Sequence, residues 1–231
     1  TVSAMGGFKI SDLFSHIDEK TVLISSTPPN EDVFECNKFH NYSDNEAYVL
    51  ENAYITAEGA VGHLLQHSPK ALKNSSVLIL GWGRIAKYLH RIIRAFTNNV
   101  SVALRNMETI SALKENGIDA YSFTEINSII HSYDIIINTV PSRVLSDEII
   151  KSTKQNIYIS ELASSPGGYD HELTQSLGRS SYILRGLPGI CAPQSAGEAL
   201  GKCIISYIEK EAMKFDRICN MRIILHTQKI S

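Results

Sequence analysis

The sequence predicts an α/β protein: a doubly wound parallel sheet, with a partial second α/β domain at the N-terminus that is closed by a C-terminal helix. Three observations predict it. Short apolar runs alternate with helical patterns between Val77 and Leu184. The first run, Val77 to Leu80, ends in Gly81-x-Gly83-x-x-Ala86 and passes straight into a helix pattern. Outside this region the chain changes character: one clear strand at Thr21–Ser25, a polar, turn-rich stretch around Pro28-Pro29-Asn30, and a long helical pattern towards the end.

Residues 44–67 read as one helix or a pair, with Ala53, Ile55, Ala57, Ala60, Val61, Leu64 and Leu65 on the apolar side. The strand at Val77–Leu80 follows. Beyond Gly83, apolar residues at Ile85, Leu89, Ile92, Ile93 and Phe96 keep helical spacing, with Arg84, Lys87, Arg91 and Arg94 on the opposite face. Asn98-Asn99 breaks that helix, and Val100–Leu104 is the second strand. A helix over 108–116 is stopped by Gly117, a short third strand covers 120–122, and Thr124 caps a helix that ends near Ser132. Residues 134–138 form a buried strand, 147–151 a short helix, 157–161 a fifth strand, 170–177 a helix and 181–184 a sixth strand. The strand order expected is 3-2-1-4-5-6. From Ala196 to about Arg222 the chain reads as helix. The expected organisation is a partial N-terminal substrate-side domain over 1–52, a connecting helix over 53–73, a dinucleotide-binding domain over 74–190, and a C-terminal helix over 191–231 that packs back on the N-terminal part.

Composition removes several classes of function. A hydrophobic share of 43% is ordinary for a chain with a packed core. With a net charge of -2 and no basic run, nucleic acid is not an expected partner. No apolar stretch is long enough for a bilayer and no signal peptide is visible, so no membrane association is expected. Cys36, Cys191, Cys203 and Cys219 lack metal-ligand spacing, as do His63, His67 and His90. Reduced thiols in a cytoplasmic protein without a metal are the expectation.

The glycine turn carries the chemistry. Gly81 allows the tight turn, Gly83 offers no Cβ where a pyrophosphate comes close, and Ala86 keeps the helix near the sheet. The helix start adds N–H donors and a partial positive charge. Gly81, Trp82, Gly83, Arg84 and Ile85 are therefore candidate cofactor-binding residues. At the end of the second strand, where an NAD site usually places a carboxylate, the chain has Arg105-Asn106. A guanidinium there suits a 2′-phosphate, so NADP is expected ahead of NAD. Ligands of such sheets lie beyond the strands' carboxyl ends, which adds Thr139, Val140 and Pro141, Leu162, and Pro188 and Gly189.

Three further segments carry a resemblance: Tyr54 to Ala60 (YITAEGA), Glu161 to Gly168 (ELASSPGG) and Gly186 to Gly197 (GLPGICAPQSAG). With the glycine turn between them, the chain resembles the dipicolinate synthase A subunits of spore-forming bacteria over residues 45–210, and more loosely over 1–44. The family's first domain is larger than the part present here. The resemblance implies NADP-linked oxidation of a CH–CH bond in a dihydrodipicolinate ring, on a branch of the lysine pathway, in the mother cell of a sporulating bacterium. It also implies a partner, the dipicolinate synthase B subunit, and a homo-oligomer is expected. A substrate with two carboxylates calls for donors or cations. Ser3, Asn52 and Thr56 are candidates for substrate binding, Ser164, Ser165 and Gln194 for the catalytic edge, and Arg185 lies near the same cleft. The family carries basic residues where Ser165 and Gln194 stand here. A reductase of the shikimate dehydrogenase type and a non-catalytic nucleotide-binding subunit are the alternative readings; the first calls for a Lys–Asp pair that the sequence does not offer.

Overall fold

The computed structural model describes residues 21–26, 39–214 and 222–226. The chain divides into two compact units, one of residues 53–193 and one of residues 1–52 with 194–231.

The larger unit is a six-stranded, all-parallel sheet. Its strands are β3 (Val77–Leu80), β4 (Val100–Leu104), β5 (Asp119–Ser122), β6 (Ile135–Asn138), β7 (Tyr158–Glu161) and β8 (Ser180–Ile183), in the spatial order β5-β4-β3-β6-β7-β8. Numbered within the unit, that is 3-2-1-4-5-6, the order read from the sequence. The central strands are apolar at nearly every position because both faces are covered. Val77 and Ile79 join one core with Ala57, Ala60, Val61 and Leu64 of α1 (Glu46–His67) and Ala86, Leu89 and Ile93 of α2 (Arg84–Ile93). Leu78 and Leu80 point the other way, into a core with Ile126, Ile130, Ile136, Leu145, Ile150 and Ile159. Each valine, leucine or isoleucine among them contributes roughly 1.5–3 kcal/mol on leaving water.

Several details differ from expectation. The first helix is single, and Leu65 on its supposed apolar side is 51% exposed. Ser122, not Thr124, opens the turn after β5: its N–H donates to Glu125 Oε2 at 2.7 Å, a reciprocal cap that ties the turn to its first residue. A 3₁₀ turn over Phe123–Glu125 then leads into α4 (Ile126–Ile129). In α3 (Met107–Glu115) the cap is Asn106, which accepts from Thr109 N at 2.7 Å. The short α5 (Asp147–Lys151) and α6 (His171–Ser176) lie close to their expected bounds. Within the segment from Gly186 to Gly197, Leu187–Cys191 forms a short helix, α7, entered through Gly186 at φ 68 with Pro188 in its first turn.

In the smaller unit, β1 (Thr21–Ser25) is flanked by β2 (Phe39–Asn41) and β9 (Arg222–His226), both parallel to it. The last strand corrects the expectation of helix to Arg222: α8 (Pro193–Lys214) ends earlier, and the apolar run Ile223-Ile-Leu225 pairs with Val22-Leu-Ile24. Within this unit Tyr207 of α8 donates to the Asn41 carbonyl at 3.0 Å, and His40 stacks on Tyr207 with ring centroids 4.5 Å apart.

At the amino ends of the large sheet, Asp134 ties three segments together. It accepts from Lys154 Nζ at 2.7 Å, Lys70 Nζ at 3.0 Å, Ser76 N at 3.0 Å and Ser76 Oγ at 3.1 Å. Burial alone would raise its pKa, but the bonds from Lys154, Ser76 and Lys70 outweigh it and hold the carboxyl far below the usual carboxylate range. A depressed folded pKa stabilises above the unfolded value of about 3.9, and the benefit is lost as pH falls through the folded one. Asp134→Asn is therefore expected to cost about 1–3 kcal/mol at neutral pH. In urea unfolding, the gap to the unsubstituted chain closes progressively below about pH 4.

Candidate functional site

The site is built at the carboxyl ends of β3, β4 and β6. Gly81 leaves β3 at φ 97, a left-handed conformation that side chains resist, and its N–H donates to Ala103 O at 2.8 Å. Space is as decisive as angle there. A Cβ on Gly81 would lie 2.6 Å from Thr139 Oγ1 and 3.0 Å from Val140 Cγ2. Thr139 is held in turn by donating from its hydroxyl to Leu80 O at 2.7 Å. The turn after β3 and the loop after β6 therefore pack as one piece.

Gly83 caps α2 without a side-chain hydrogen bond, and nothing lies within 4 Å of the place its Cβ would take. The open space beside a helix start is what an approaching pyrophosphate needs. Arg84 and Ile85 begin the helix, Arg84 exposed and Ile85 half-buried against the core.

A cleft of about 610 Å³ opens next to this turn. It brings together Gly81, Trp82, Arg105, Asn106 and Val140, all cofactor candidates from the sequence. Leu104, Thr109, Phe123 and Lys87 complete the lining and were not among those candidates. Lys87 is the informative addition. The helical wheel put it on the solvated face, yet it sits four residues after Gly83, one turn along, and faces the cleft. Thr109 stands three residues after the Asn106 cap, in the first turn of α3, and Phe123 directly follows β5. The cleft therefore carries two cations, Lys87 and Arg105, and no carboxylate among its lining residues.

The other candidates fall elsewhere. Pro141 is exposed in the turn after β6, and Leu162 is buried in the core, 9% exposed. Pro188 and Gly189 lie in α7 rather than in an open loop. Ser164 and Ser165 are exposed in the turn after β7, where the Ser165–Pro166 peptide is cis. Thr56 is buried in α1 within the larger unit, and Asn52 is half-buried in the smaller one. Gln194, also in the smaller unit, donates from Nε2 to Glu198 Oε1 at 3.0 Å on its own helix. Ser3 lies outside the described residues.

Sequence reading did not single out Glu161, the last residue of β7, which is only 4% exposed. Its carboxylate accepts from Asn138 Nδ2 at 2.7 and 2.9 Å, Gly168 N at 2.7 Å and Ala163 N at 2.8 Å. Burial pushes its pKa up, against the N–H groups of Gly168 and Ala163, the Asn138 amide and the charge of Arg185. The glycines of the Ser-Pro-Gly-Gly segment follow from this. A Cβ on Gly167 would lie 3.0 Å from Glu161 Oε2, and one on Gly168 would lie 2.3 Å from Asn138 Nδ2.

The chain is similar in sequence and fold to known proteins. Residues 52–159 match the family "D-isomer specific 2-hydroxyacid dehydrogenase, NAD binding domain". The dipicolinate synthase A subunit of Bacillus subtilis (strain 168) is 30% identical over 161 residues, which are 70% of this chain and 54% of that protein. The chain thus spans about half the length of that curated relative. The crystal structure of the A chain of dipicolinate synthase from Bacillus subtilis superposes with a TM-score of 0.80 at 26% identity, over 88% of this chain and 70% of that one. The crystal structure of the corresponding A subunit from Bacillus halodurans gives 0.72 at 24% identity, over 80% and 65% of the two chains. A transhydrogenase from Sinorhizobium meliloti shares the fold alone, with a TM-score of 0.64 at 14% identity over 75% of this chain and 61% of that one. The segment 52–159 is similar to the NAD-binding domains of that dehydrogenase family.

Proposed function

We propose, on the premise that this chain is a relative of the dipicolinate synthase A subunit, that it binds NADP and takes part in oxidising a dihydrodipicolinate to dipicolinate. The observation that carries the cofactor half of this reading is the pairing of Lys87 with Arg105 along a cleft that no carboxylate lines. An adenosine carrying a 2′-phosphate brings up to two negative charges to the end of β4. Arg105 offers a planar fork for its oxygens, and Lys87 a second point charge from α2. An NAD site instead needs an acceptor for the ribose hydroxyls, and the cleft lining supplies none from Asp or Glu.

Bound at this edge, a nicotinamide would supply the hydride acceptor, and aromatisation of the ring would release one proton as well. The part of this chain is to orient. The Gly83 turn leaves room for the pyrophosphate, and the loops after β6 and β7 form the edge beyond it. A dipicolinate synthase B subunit is the partner that the relative's name suggests for this chain too.

Arg105→Asp is expected to weaken NADP binding about 10- to 100-fold and NAD binding much less, because it exchanges an attraction for a repulsion at the 2′ position only. The single tryptophan of the sequence, Trp82, lines the cleft and reports both titrations by fluorescence. Equal losses would remove the phosphate role. Oxidation itself is tested by supplying the ring precursor and NADP, with and without the B partner, and following pyridine absorbance. A second reading, a nucleotide-binding subunit without its own turnover, draws support from the uncharged Ser165 and from Gln194, whose amide already donates to Glu198. Nucleotide binding without pyridine formation, with the B partner present, would favour it.

A further inference from the structure

The buried carboxylate at the end of β7 has no role in the reading above, and its contacts lead straight to the nucleotide turn. Every partner of Glu161 is a donor: Asn138 Nδ2, Ala163 N and Gly168 N. Such a ring of donors is satisfied only by the ionised acid. Asn138, the end of β6, is gripped from both sides. Its Nδ2 donates to Glu161 and also to Val140 O at 2.9 Å, and its Oδ1 accepts from Val140 N at 3.1 Å. Val140 lines the cleft, and its Cγ2 stands 3.0 Å from the Cβ position of Gly81. One unbroken line of contacts therefore runs from Glu161 through Asn138 and Val140 to the glycine turn.

We propose that Glu161 is a positioning residue for the nucleotide: by fixing which way the Asn138 amide faces, it seats Val140 against Gly81 and so sets cofactor affinity. The proposal rests on the nucleotide reading given above. The logic is one of donors and acceptors. With Glu161 ionised, the amide has one good orientation, Nδ2 towards the carboxylate and Oδ1 towards Val140 N. An added proton on Glu161 puts a donor where Nδ2 already donates. If the amide turns over to accept that proton, its Nδ2 faces Val140 N and two donors oppose each other. The first arrangement sets two donors against each other at the carboxyl, and the second takes its partners from the backbone of Val140.

The groups facing Glu161 are few: Arg185 after β8, whose charge favours the carboxylate, and Tyr169, which burial keeps neutral and whose pKa the Glu161 charge raises further. Burial raises the pKa of Glu161, so it takes up its proton at a higher pH than an exposed glutamate would, and affinity falls as the pH falls towards that point.

The test is a titration of the full chain with NAD⁺ and NADP⁺ between about pH 8 and about pH 5, followed by Trp82 fluorescence. NAD⁺ is the essential arm, since it lacks a 2′-phosphate that titrates in the same range. The chain is expected to lose affinity for both nucleotides as the pH drops. Glu161→Gln, which carries a permanent donor at the same place, is expected to bind about two- to thirtyfold more weakly near pH 8 and to respond little to pH. Unchanged affinity in Glu161→Gln, or a pH response identical to that of the unsubstituted chain, overturns the proposal. If Glu161→Gln does not fold, Asn138→Asp decides. It places a second carboxylate against Glu161, so the pH at which affinity is lost must move up, and an unmoved midpoint overturns the proposal. A chain that binds nucleotide with no pH response overturns this inference alone, whereas one that binds neither nucleotide at any pH overturns the nucleotide reading and this inference with it.

Discussion

Gly83→Val abolishes nucleotide binding while the chain stays folded: that is the expected result of the substitution with the largest effect on function. Two features of Gly83 predict the intact fold. Its backbone, at φ -78 and ψ -170, is extended and open to any residue, and nothing lies within 4 Å of the added Cβ. Valine is a poorer cap than glycine, so a loss of about 0.5–1 kcal/mol and a small fall in Tm are expected. The functional loss comes from the same empty space. A pyrophosphate at the start of α2 must approach the Gly83 backbone, and two methyl groups would stand in its place. Affinity should fall by more than about 100-fold, measured by Trp82 fluorescence with NADP⁺ alongside thermal unfolding. Binding that survives would mean that the dinucleotide does not cross this turn. Gly81 gives the contrast: valine there meets Thr139 and Val140 at a positive φ, and would damage the fold and the site together.

Much of this was legible in the sequence, for reasons that are local. The strands β3, β4 and β6 read as continuous apolar runs because both faces are covered, and the glycine turn has its own spacing. The order of the large sheet followed from alternation, since a right-handed crossover leaves few choices. Legibility failed where the deciding partner is remote. Arg222–His226 becomes a strand because β1 lies beside it, about two hundred residues back along the chain, and no local pattern says so. Lys87 looked solvated because a helical wheel shows a face but not what stands opposite. Gln194 looked available until Glu198, one turn on, was seen to accept from it. Glu161 was the deepest omission. A charged residue at a strand end reads as a surface residue, and only the fold shows Asn138, Ala163 and Gly168 closing over it.

Gly168→Ala should be the most destabilising single-methyl change in the larger unit. The new Cβ would stand 2.3 Å from Asn138 Nδ2, 2.6 Å from its Cγ and 2.9 Å from its Oδ1, all inside the approach that real atoms tolerate. Neither side can yield cheaply. Asn138 is fully buried and bonded to both Glu161 and Val140. The Gly168 backbone donates to Glu161 Oε2 at 2.7 Å, and its carbonyl accepts from Val144 N at 2.9 Å and Leu145 N at 3.0 Å. Overpacking of this kind costs about 1–3 kcal/mol, and breaking a buried hydrogen bond to relieve it adds about 1–3 kcal/mol. A loss of roughly 3–5 kcal/mol is therefore expected, enough to lower Tm by about 10 °C. Gly83→Ala, with its open surroundings, serves as the control and should cost well under about 1 kcal/mol. The steric cause has its own signature. Once Asn138→Ala has removed the clashing amide, Gly168→Ala should cost far less than it does alone, so the two changes fall short of additivity by more than about 1 kcal/mol. Additive losses, or a Gly168→Ala variant as stable as the unsubstituted chain, would show that the loop after β7 has slack that this packing denies it.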